Sequence, residues 1–260
     1  MIIMPSLSFL TTLGGMILFA WECVLLTLQR KTKWHQVLDQ IFQVGVRSLG
    51  LTVVAGLFVG AIMALQIDLQ LKDFGAEAFL GGLSTSTTLR NIGPVLIAFL
   101  LSGKVGAYTS AELGTMEVTD QLNAIRLLGA SPLEYIILPR IWAVVISSFL
   151  LLIVGLMITI FGGIIFAEVI GVNALNYIQN IPRIVTVWSI VLSVIKSFLF
   201  GAIIAVVSCY KGYHAKGGSV GVGIAVQSCA VTNLILIIIT DFLLSMASSC
   251  LQDIFKVGYL

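Results

Sequence analysis

Long apolar runs, separated by short polar punctuation, dominate this chain. A bilayer-crossing helix needs about 20 consecutive, mostly apolar residues. Residues 48–67, 141–167 and 217–240 meet this length with no charged residue at all. Residues 79–103 carry only Arg90, and residues 184–210 only Lys196. The last run stays apolar past Asp241 to about Leu251. These runs predict an all-α polytopic membrane protein with five transmembrane helices. Residues 6–28 form a further apolar stretch, interrupted by Glu22 and carrying Gly14 and Gly15. Two readings of it stand: it crosses the bilayer, or it lies in one leaflet as an interfacial helix.

The longest polar interruption falls between the second and third runs. There Glu112, Glu117 and Asp120 sit close together. A charge at mid-membrane costs about 2.5–3.5 kcal/mol on insertion scales, so the chain is expected to leave the lipid over residues 104–140. Within that segment Val118, Leu122, Ile125 and Leu128 recur at helical spacing, with Glu117, Asp120, Gln121 and Ala124 on the other side. The pattern predicts an amphipathic surface helix of about three turns, ended by Gly129. Ser131, Pro132 and Glu134 then read as a new helix start with a capping box. Pro139 should kink that helix as it enters the third span. A surface helix between spans is either a plain connector or a docking element for a soluble partner. Glu112 can equally be a charge stabilised at a helix N-terminus.

Composition agrees with a membrane protein. The chain of 260 residues is 58% hydrophobic and 10% charged, with mean hydropathy +1.09; soluble domains carry about 25% charged residues. The net charge of +2 comes from scattered basic residues, which argues against a nucleic-acid partner. Cys23, Cys209, Cys229 and Cys250 lie far apart in or beside apolar runs and read as small buried residues rather than metal ligands. His35 and His214 are lone histidines near loops and suggest no catalytic site. The N-terminal apolar stretch lacks a basic leader and a cleavage site, and is expected to be retained.

Basic residues orient the spans. With the first of the five spans starting from the cytoplasm, Arg30, Lys31, Lys33, Arg47, Lys104, Arg126, Arg140, Lys211 and Lys216 all fall inside. Lys72, Arg183 and Lys256 fall outside. Segment 104–140 and the 211–216 turn are therefore expected on the cytoplasmic face. Residues 68–77 form an outer loop of mixed charge.

Three blocks resemble the MlaE family, the permease subunits of ABC transporters that work with MCE-domain proteins on phospholipids. They are LRNIGPVLIAFLLSGKVGA (89–107), AELGTMEVTDQLNAIRLLGASP (111–132) and the PRIWA that begins at Pro139. Gly56–Gly60, the GYHAKGGSVGVGIAV stretch and Asp241–Leu244 match as well, so the resemblance covers about residues 41–248. Three positions depart from the family pattern. Asn91 stands where Glu is usual, which removes an acidic neighbour from Arg90. Lys104 replaces a common Arg and loses bidentate geometry. Ile224 occupies a position that is often basic.

The resemblance implies a homodimer enclosing a lipid cavity. Each copy would have an N-terminal membrane-associated helix (1–47), a five-span permease domain (48–251) and a short C-terminal tail (252–260). It favours the interfacial reading of residues 6–28. The ATPase would be a separate chain holding ATP and Mg, and this chain would hold no cofactor or metal of its own. Consistently, Ser102-Gly103-Lys104-Val105 lacks both the upstream Gly and the Ser/Thr of a nucleotide-binding P-loop. The expected partners are an ABC ATPase, an MCE-domain lipid-binding protein and phospholipid, at a bacterial inner membrane. Coupling to the ATPase falls to Glu112, Glu117, Asp120 and Gln121, with Val118, Leu122 and Ile125 as the packing face. Lipid-cavity candidates are Leu57, Leu65, Val95, Phe99, Leu236 and Leu243. Gly56 and Gly60 form a GxxxG pair for close helix approach, within the chain or at the dimer seam. Lys196 is the sharpest intramembrane residue: it either meets a lipid phosphate, pairs with an acid such as Asp241, or snorkels to the interface. The alternative readings are an ion-coupled secondary transporter, an intramembrane enzyme, for which no catalytic constellation is evident, and a non-transporting scaffold.

Overall fold

The computed structural model of this chain describes residues 5–29 and 34–257. Among these every regular element is helical, as hydrocarbon demands of a chain that must satisfy its backbone groups internally. Six helical runs are long and apolar enough to cross a membrane: Thr11–Leu28, Trp34–Lys72, Leu80–Val118, Leu133–Val169, Val187–Tyr213 and Gly218–Gln252. Their exposed faces are apolar too, as at Ile17, Leu18 and Trp21, at Met157, Phe161 and Ile165, and at Ile238 and Phe242. The basic cluster Arg30, Lys31 and Lys33 and the last three residues lie outside the described residues.

In chain order the helices are α1 (Pro5–Leu28), α2 (Trp34–Ile41), α3 (Arg47–Lys72), α4 (Leu80–Thr87), α5 (Gly93–Leu101), α6 (Ala107–Val118), α7 (Gln121–Leu127), α8 (Leu138–Val169), α9 (Ala174–Ile184), α10 (Val187–Tyr213) and α11 (Gly218–Val257). Wide π turns join several of them: Phe42–Val46 links α2 to α3, Thr88–Ile92 links α4 to α5, Ser102–Gly106 links α5 to α6, and Leu133–Ile137 leads into α8. The chain divides into two compact units. Unit 1 comprises Met1–Val46, Ser102–Ser147 and Ala202–Asn233; unit 2 comprises Arg47–Leu101, Ser148–Gly201 and Leu234–Leu260.

Unit 2 is built on glycine contacts. A Cβ on Gly60 would strike the Thr159 carbonyl, and one on Gly56 would come within 2.9 Å of the Gly155 carbonyl. In return, Gly162 of α8 faces the Leu57 backbone. The GxxxG pair thus seats α3 on α8 inside one chain. Gly81 and Gly82 do the same for α4 against α9, facing the carbonyls of Tyr177 and Asn180. Leu80, Ala167 and Tyr177 form a fully buried cluster beside them.

In unit 1, Phe19 of α1 packs edge-on against Tyr210, with ring centroids 5.6 Å apart. Trp142 Nε1 donates to Thr27 Oγ1 at 3.0 Å, and Trp34 lies 6.5 Å from the Trp142 ring. Small residues again allow close packing. Gly212 lies against the Ser110 carbonyl, and Gly114 against Ala215 and Val222.

The structure departs from the sequence pattern in several places. No loop precedes the surface segment: the helix that starts at Leu80 runs on to Val118. The expected three-turn helix over 118–128 is cut at Thr119–Asp120, where Asp120 adopts φ 59°. Asn and Asp are the side chains that tolerate this left-handed conformation best after glycine. The cut resets the helical phase, so Leu128 is 84% exposed instead of joining the packed face. Gly129 does end α7, at φ 77°, with the Ala130 N–H reaching back to the Ile125 carbonyl. The start at Ser131 forms through its carbonyl, which accepts from the Glu134 and Tyr135 N–H groups; the turn at Pro132 has no side-chain cap. Ahead of Pro139 the chain makes the wide turn Leu133–Ile137. Asp68 is not in a loop but buried on α3, paired with Lys72 at 2.6 Å. Helix α9 was not anticipated. It begins where Asn173 accepts the Leu175 N–H; its eleven residues are amphipathic but too few to cross a membrane, and Pro182 lies inside it. Cys23, Cys209 and Cys229 are buried, but Cys250 is exposed.

Candidate functional site: a polar cavity in unit 2 and a broken surface helix in unit 1

A polar knot in unit 2 follows from one proline. In a regular helix the Arg90 carbonyl would accept from residue 94, and Pro94 has no N–H. The chain widens here into the turn Thr88–Ile92, and the Gly93 N–H bonds to the Thr88 carbonyl instead. The carbonyls of Leu89 and Arg90 are thereby released inside an apolar bundle, where an unpaired carbonyl is costly. Helix α10 repairs both. Ser193 Oγ donates to the Leu89 carbonyl at 2.6 Å, and Lys196 Nζ donates to the Arg90 carbonyl at 2.7 Å.

Lys196 is completely buried. It also pairs with Asp241 Oδ1 at 2.6 Å and donates to Ser245 Oγ at 2.9 Å. An ammonium has three N–H groups, and here three acceptors take them. Of the three sequence readings of Lys196, the geometry corresponds to the ion pair with Asp241 and leaves no donor for a lipid phosphate. Asp241, Ser245, Ser248 and Gln252 form one polar stripe along α11 at helical spacing.

Beside this knot lies a cavity of about 360 Å³. Its lining includes Ser86, Thr87, Arg90, Asn91, Ser245 and Ser249. Arg90 Nη2 donates to Gln252 Oε1 at 3.2 Å. With Asn91 beside it, the Arg90 guanidinium is the only formal charge lining the cavity among the described residues. The cavity therefore offers a cation and several hydroxyl groups to an anionic or hydroxylated ligand. Sequence reasoning did not single out Arg90, Ser86, Thr87, Ser245 or Ser249 as lining residues. A signal was present: Ser84 to Thr88 are all hydroxylated, and Ser245, Ser248 and Ser249 recur at helical spacing in an apolar span.

The apolar cavity candidates are dispersed. Leu57, Val95, Phe99 and Leu236 are half-buried, whereas Leu65 and Leu243 are exposed. None of them lines the polar cavity.

In unit 1 the carboxylates of the surface segment separate into different settings. Glu112 Oε1 pairs with Arg140 Nη2 at 2.8 Å, and the Arg140 side chain is nearly inaccessible. Glu112 sits in the middle of α6, so it ties α6 to α8 rather than stabilising a helix N-terminus. Glu117 and Val118 are half-buried at the end of α6. Beyond the break, Leu122 is fully buried, Ile125 half-buried, and Asp120 and Gln121 exposed. Asp120 Oδ1 accepts from Asn123 Nδ2 at 2.7 Å, and Asn123 in turn accepts from Arg126. Arg126 Nη2 donates to Tyr213 Oη at 2.7 Å, holding α7 to the end of α10. Leu127 and Leu128 project outward from this braced element, at 89% and 84% exposure. Ser102-Gly103-Lys104-Val105 lies in a helical turn, not in a loop able to cradle phosphates. No His/Cys/Asp/Glu group suited to a metal occurs among the described residues.

The six long apolar helices describe a multi-pass membrane protein. Comparison with known proteins names the family: the chain belongs to the MlaE permease family, described as "Permease MlaE", which matches residues 37–247. It is 31% identical to a probable ABC transporter permease protein of Synechocystis sp., over 84% of this chain and 83% of that protein. It is 30% identical to a probable ABC transporter permease protein of Rickettsia felis, over 92% of this chain and 93% of that one. It is also 33% identical to Protein TRIGALACTOSYLDIACYLGLYCEROL 1, chloroplastic, of Arabidopsis thaliana, over 88% of this chain but 65% of the plant protein. As a permease of the ABC class it works with an ATPase that is a separate subunit.

Proposed function

We propose that this chain is the lipid-conducting subunit of an ATP-driven phospholipid transporter in a bacterial inner membrane. It acts as a homodimer with a separate ATPase, which holds ATP and Mg, and exchanges lipid with an extracytoplasmic MCE-domain protein. The observation that carries this reading is the unit 2 cavity, where an Arg and several hydroxyl groups converge within otherwise apolar spans. A phosphodiester head group matches that lining, since guanidinium–phosphate hydrogen bonds are among the strong ones. The apolar flanks, including Val95, Phe99 and Leu236, suit acyl chains. The plant relative is named for a galactolipid, which supports a lipid cargo.

The ATPase docks on the exposed part of the α6–α7 element. Leu127 and Leu128 supply apolar anchors, while Asp120 and Gln121 select the partner. Glu117, Val118, Leu122 and Ile125 hold the element in shape, and the Glu112–Arg140 pair passes its movement to α8.

The test is reconstitution of permease, ATPase and MCE protein in liposomes with a labelled phospholipid. Transfer is expected only with ATP. Arg90→Ala should reduce transfer about tenfold or more, the equivalent of one lost charge-assisted hydrogen bond. Asp120→Arg combined with Gln121→Arg should release the ATPase while the permease still inserts. Transfer at full rate without ATP would instead indicate an ion-coupled carrier, and no transfer under any condition a scaffold.

A further inference from the structure

A second cavity, of about 370 Å³, lies in unit 1 and shares no residue with the one beside Arg90. It is an open pocket lined by Thr12 of α1, by Lys211, His214 and Lys216 at the α10–α11 turn, and by Ile224 and Ser228 of α11. From this we infer that the α1/α10–α11 junction binds the phosphate of an anionic phospholipid that stays with the permease rather than being transported.

Three observations carry the inference. First, the charge is unopposed. Among the described residues no acidic side chain lines the cavity, and neither Lys211 nor Lys216 has an ion-pair partner. Two ammonium groups at one cavity repel each other, and an anion relieves that repulsion. Second, α11 starts at this turn. Gly217 and Gly218 adopt φ 94° and 67°, and the helix then runs 40 residues with no acidic residue in its first turn. Its N-terminal N–H groups and dipole add to the positive potential of the lysines. Third, the cavity is half apolar. Ile224 lines it while being 62% exposed, next to Val220 at 72%. On α1, Ile17, Leu18 and Trp21 are likewise more than 60% exposed. A free phosphate has no use for an apolar wall, whereas a head group continuing into acyl chains does. An acidic protein segment would satisfy the lysines but not the lipid-type surface around them.

His214 shapes the site. Its Nδ1 lies 2.8 Å from the Tyr210 carbonyl, which can only accept, so Nδ1 carries the proton. The imidazole is thus fixed at the cavity, with the ring 4.3 Å from that of Tyr210.

The experiment uses the full-length permease, delipidated in neutral detergent. Its unfolding midpoint is followed during titration with phosphatidylglycerol, phosphatidylcholine or inorganic phosphate. Both phospholipids can raise the midpoint through the transport cavity; phosphatidylglycerol is expected to raise it further than phosphatidylcholine, and inorganic phosphate is not expected to raise it. Each lysine contributes attraction near a charged surface that corresponds to about a fivefold change in affinity. Lys216→Gln, at an exposed position, should therefore raise the half-saturating phosphatidylglycerol concentration about fivefold, and Lys211→Gln with Lys216→Gln on the order of 25-fold. The lysine variants are compared in an Arg90→Ala background, where phospholipid binding at the transport cavity is weakened, so that the remaining phosphatidylglycerol response reports the unit 1 site. Should the double variant not fold, Lys216→Gln and Lys216→Glu give the same ranking. An equal response to phosphatidylcholine, or an unchanged one in the lysine variants, overturns the inference. If inorganic phosphate matches phosphatidylglycerol, the lipid assignment falls. If the variants lose the ATPase but keep the lipid response, the lysines serve a protein partner and the inference falls as well.

Discussion

Lys196→Met is expected to destabilise the folded permease by about 3–5 kcal/mol, the range for breaking a buried ion pair by removing one member. The variant leaves Asp241 without its counter-ion, and the Arg90 carbonyl loses the donor that stands in for the missing Pro94 N–H. Ser245 Oγ loses its donor as well. A double variant, Lys196→Met with Asp241→Leu, should recover much of the loss, because replacing a whole buried pair by apolar groups is often close to neutral. Recovery will be incomplete, since the Arg90 carbonyl stays unpaired. The check is the unfolding midpoint of each variant in the same detergent, with lipid per folded molecule measured by mass spectrometry. Lipid content should hold in Lys196→Met and fall in Arg90→Ala. A Lys196→Met protein as stable as the wild type but stripped of lipid would reverse the two roles and make Lys196 the head-group ligand.

The second large effect is expected at Gly60. Gly60→Leu should prevent accumulation of folded permease, and Gly60→Ala alone should cost at least about 3 kcal/mol, the upper part of the range for overpacking. The reason is that the added Cβ meets backbone rather than a side chain. It strikes the Thr159 carbonyl and approaches the Gly163 nitrogen at 2.9 Å, so α3 and α8 would have to separate. Gly50 is the control, because a Cβ there meets nothing within 4 Å. Gly50→Ala on the same helix should be neutral or gain up to about 1 kcal/mol from helix propensity. The measurement is the monodisperse fraction on size exclusion, together with the unfolding midpoint. Equal tolerance at Gly50 and Gly60 would contradict the α3–α8 packing.

The value of the fold for function lies in how unit 2 turns a backbone defect into a site. Pro94 frees one carbonyl, the wide turn frees another, and α10 supplies Ser193 and Lys196 to close both. The Arg90 side chain remains at the cavity wall, joined only to the neutral Gln252 amide among its recorded partners. A lysine locked in structure beside an arginine facing a cavity is a division of labour between two cations of the same bundle.

Much of this was readable from residue order. Apolar length and sparse charge specify helices that can cross a membrane, because hydrocarbon tolerates no other open backbone. The GxxxG spacing announced a close helix contact, Gly129 a helix end, and the missing glycine and hydroxyl around Lys104 the absence of a nucleotide loop. Blocks 89–107 and 111–132 pointed to the family. Pairing across the fold was not readable. Periodicity treats 118–128 as one face, and only the left-handed Asp120 shows the phase reset that sends Leu128 outward. Nothing local tells that Glu112 meets Arg140, 28 positions away, or which of three acceptors saturate Lys196. Hydrophobic pattern is a property of each segment and survives in the linear chain; which buried polar group answers which is a property of contacts between distant segments, and only the tertiary structure decides it.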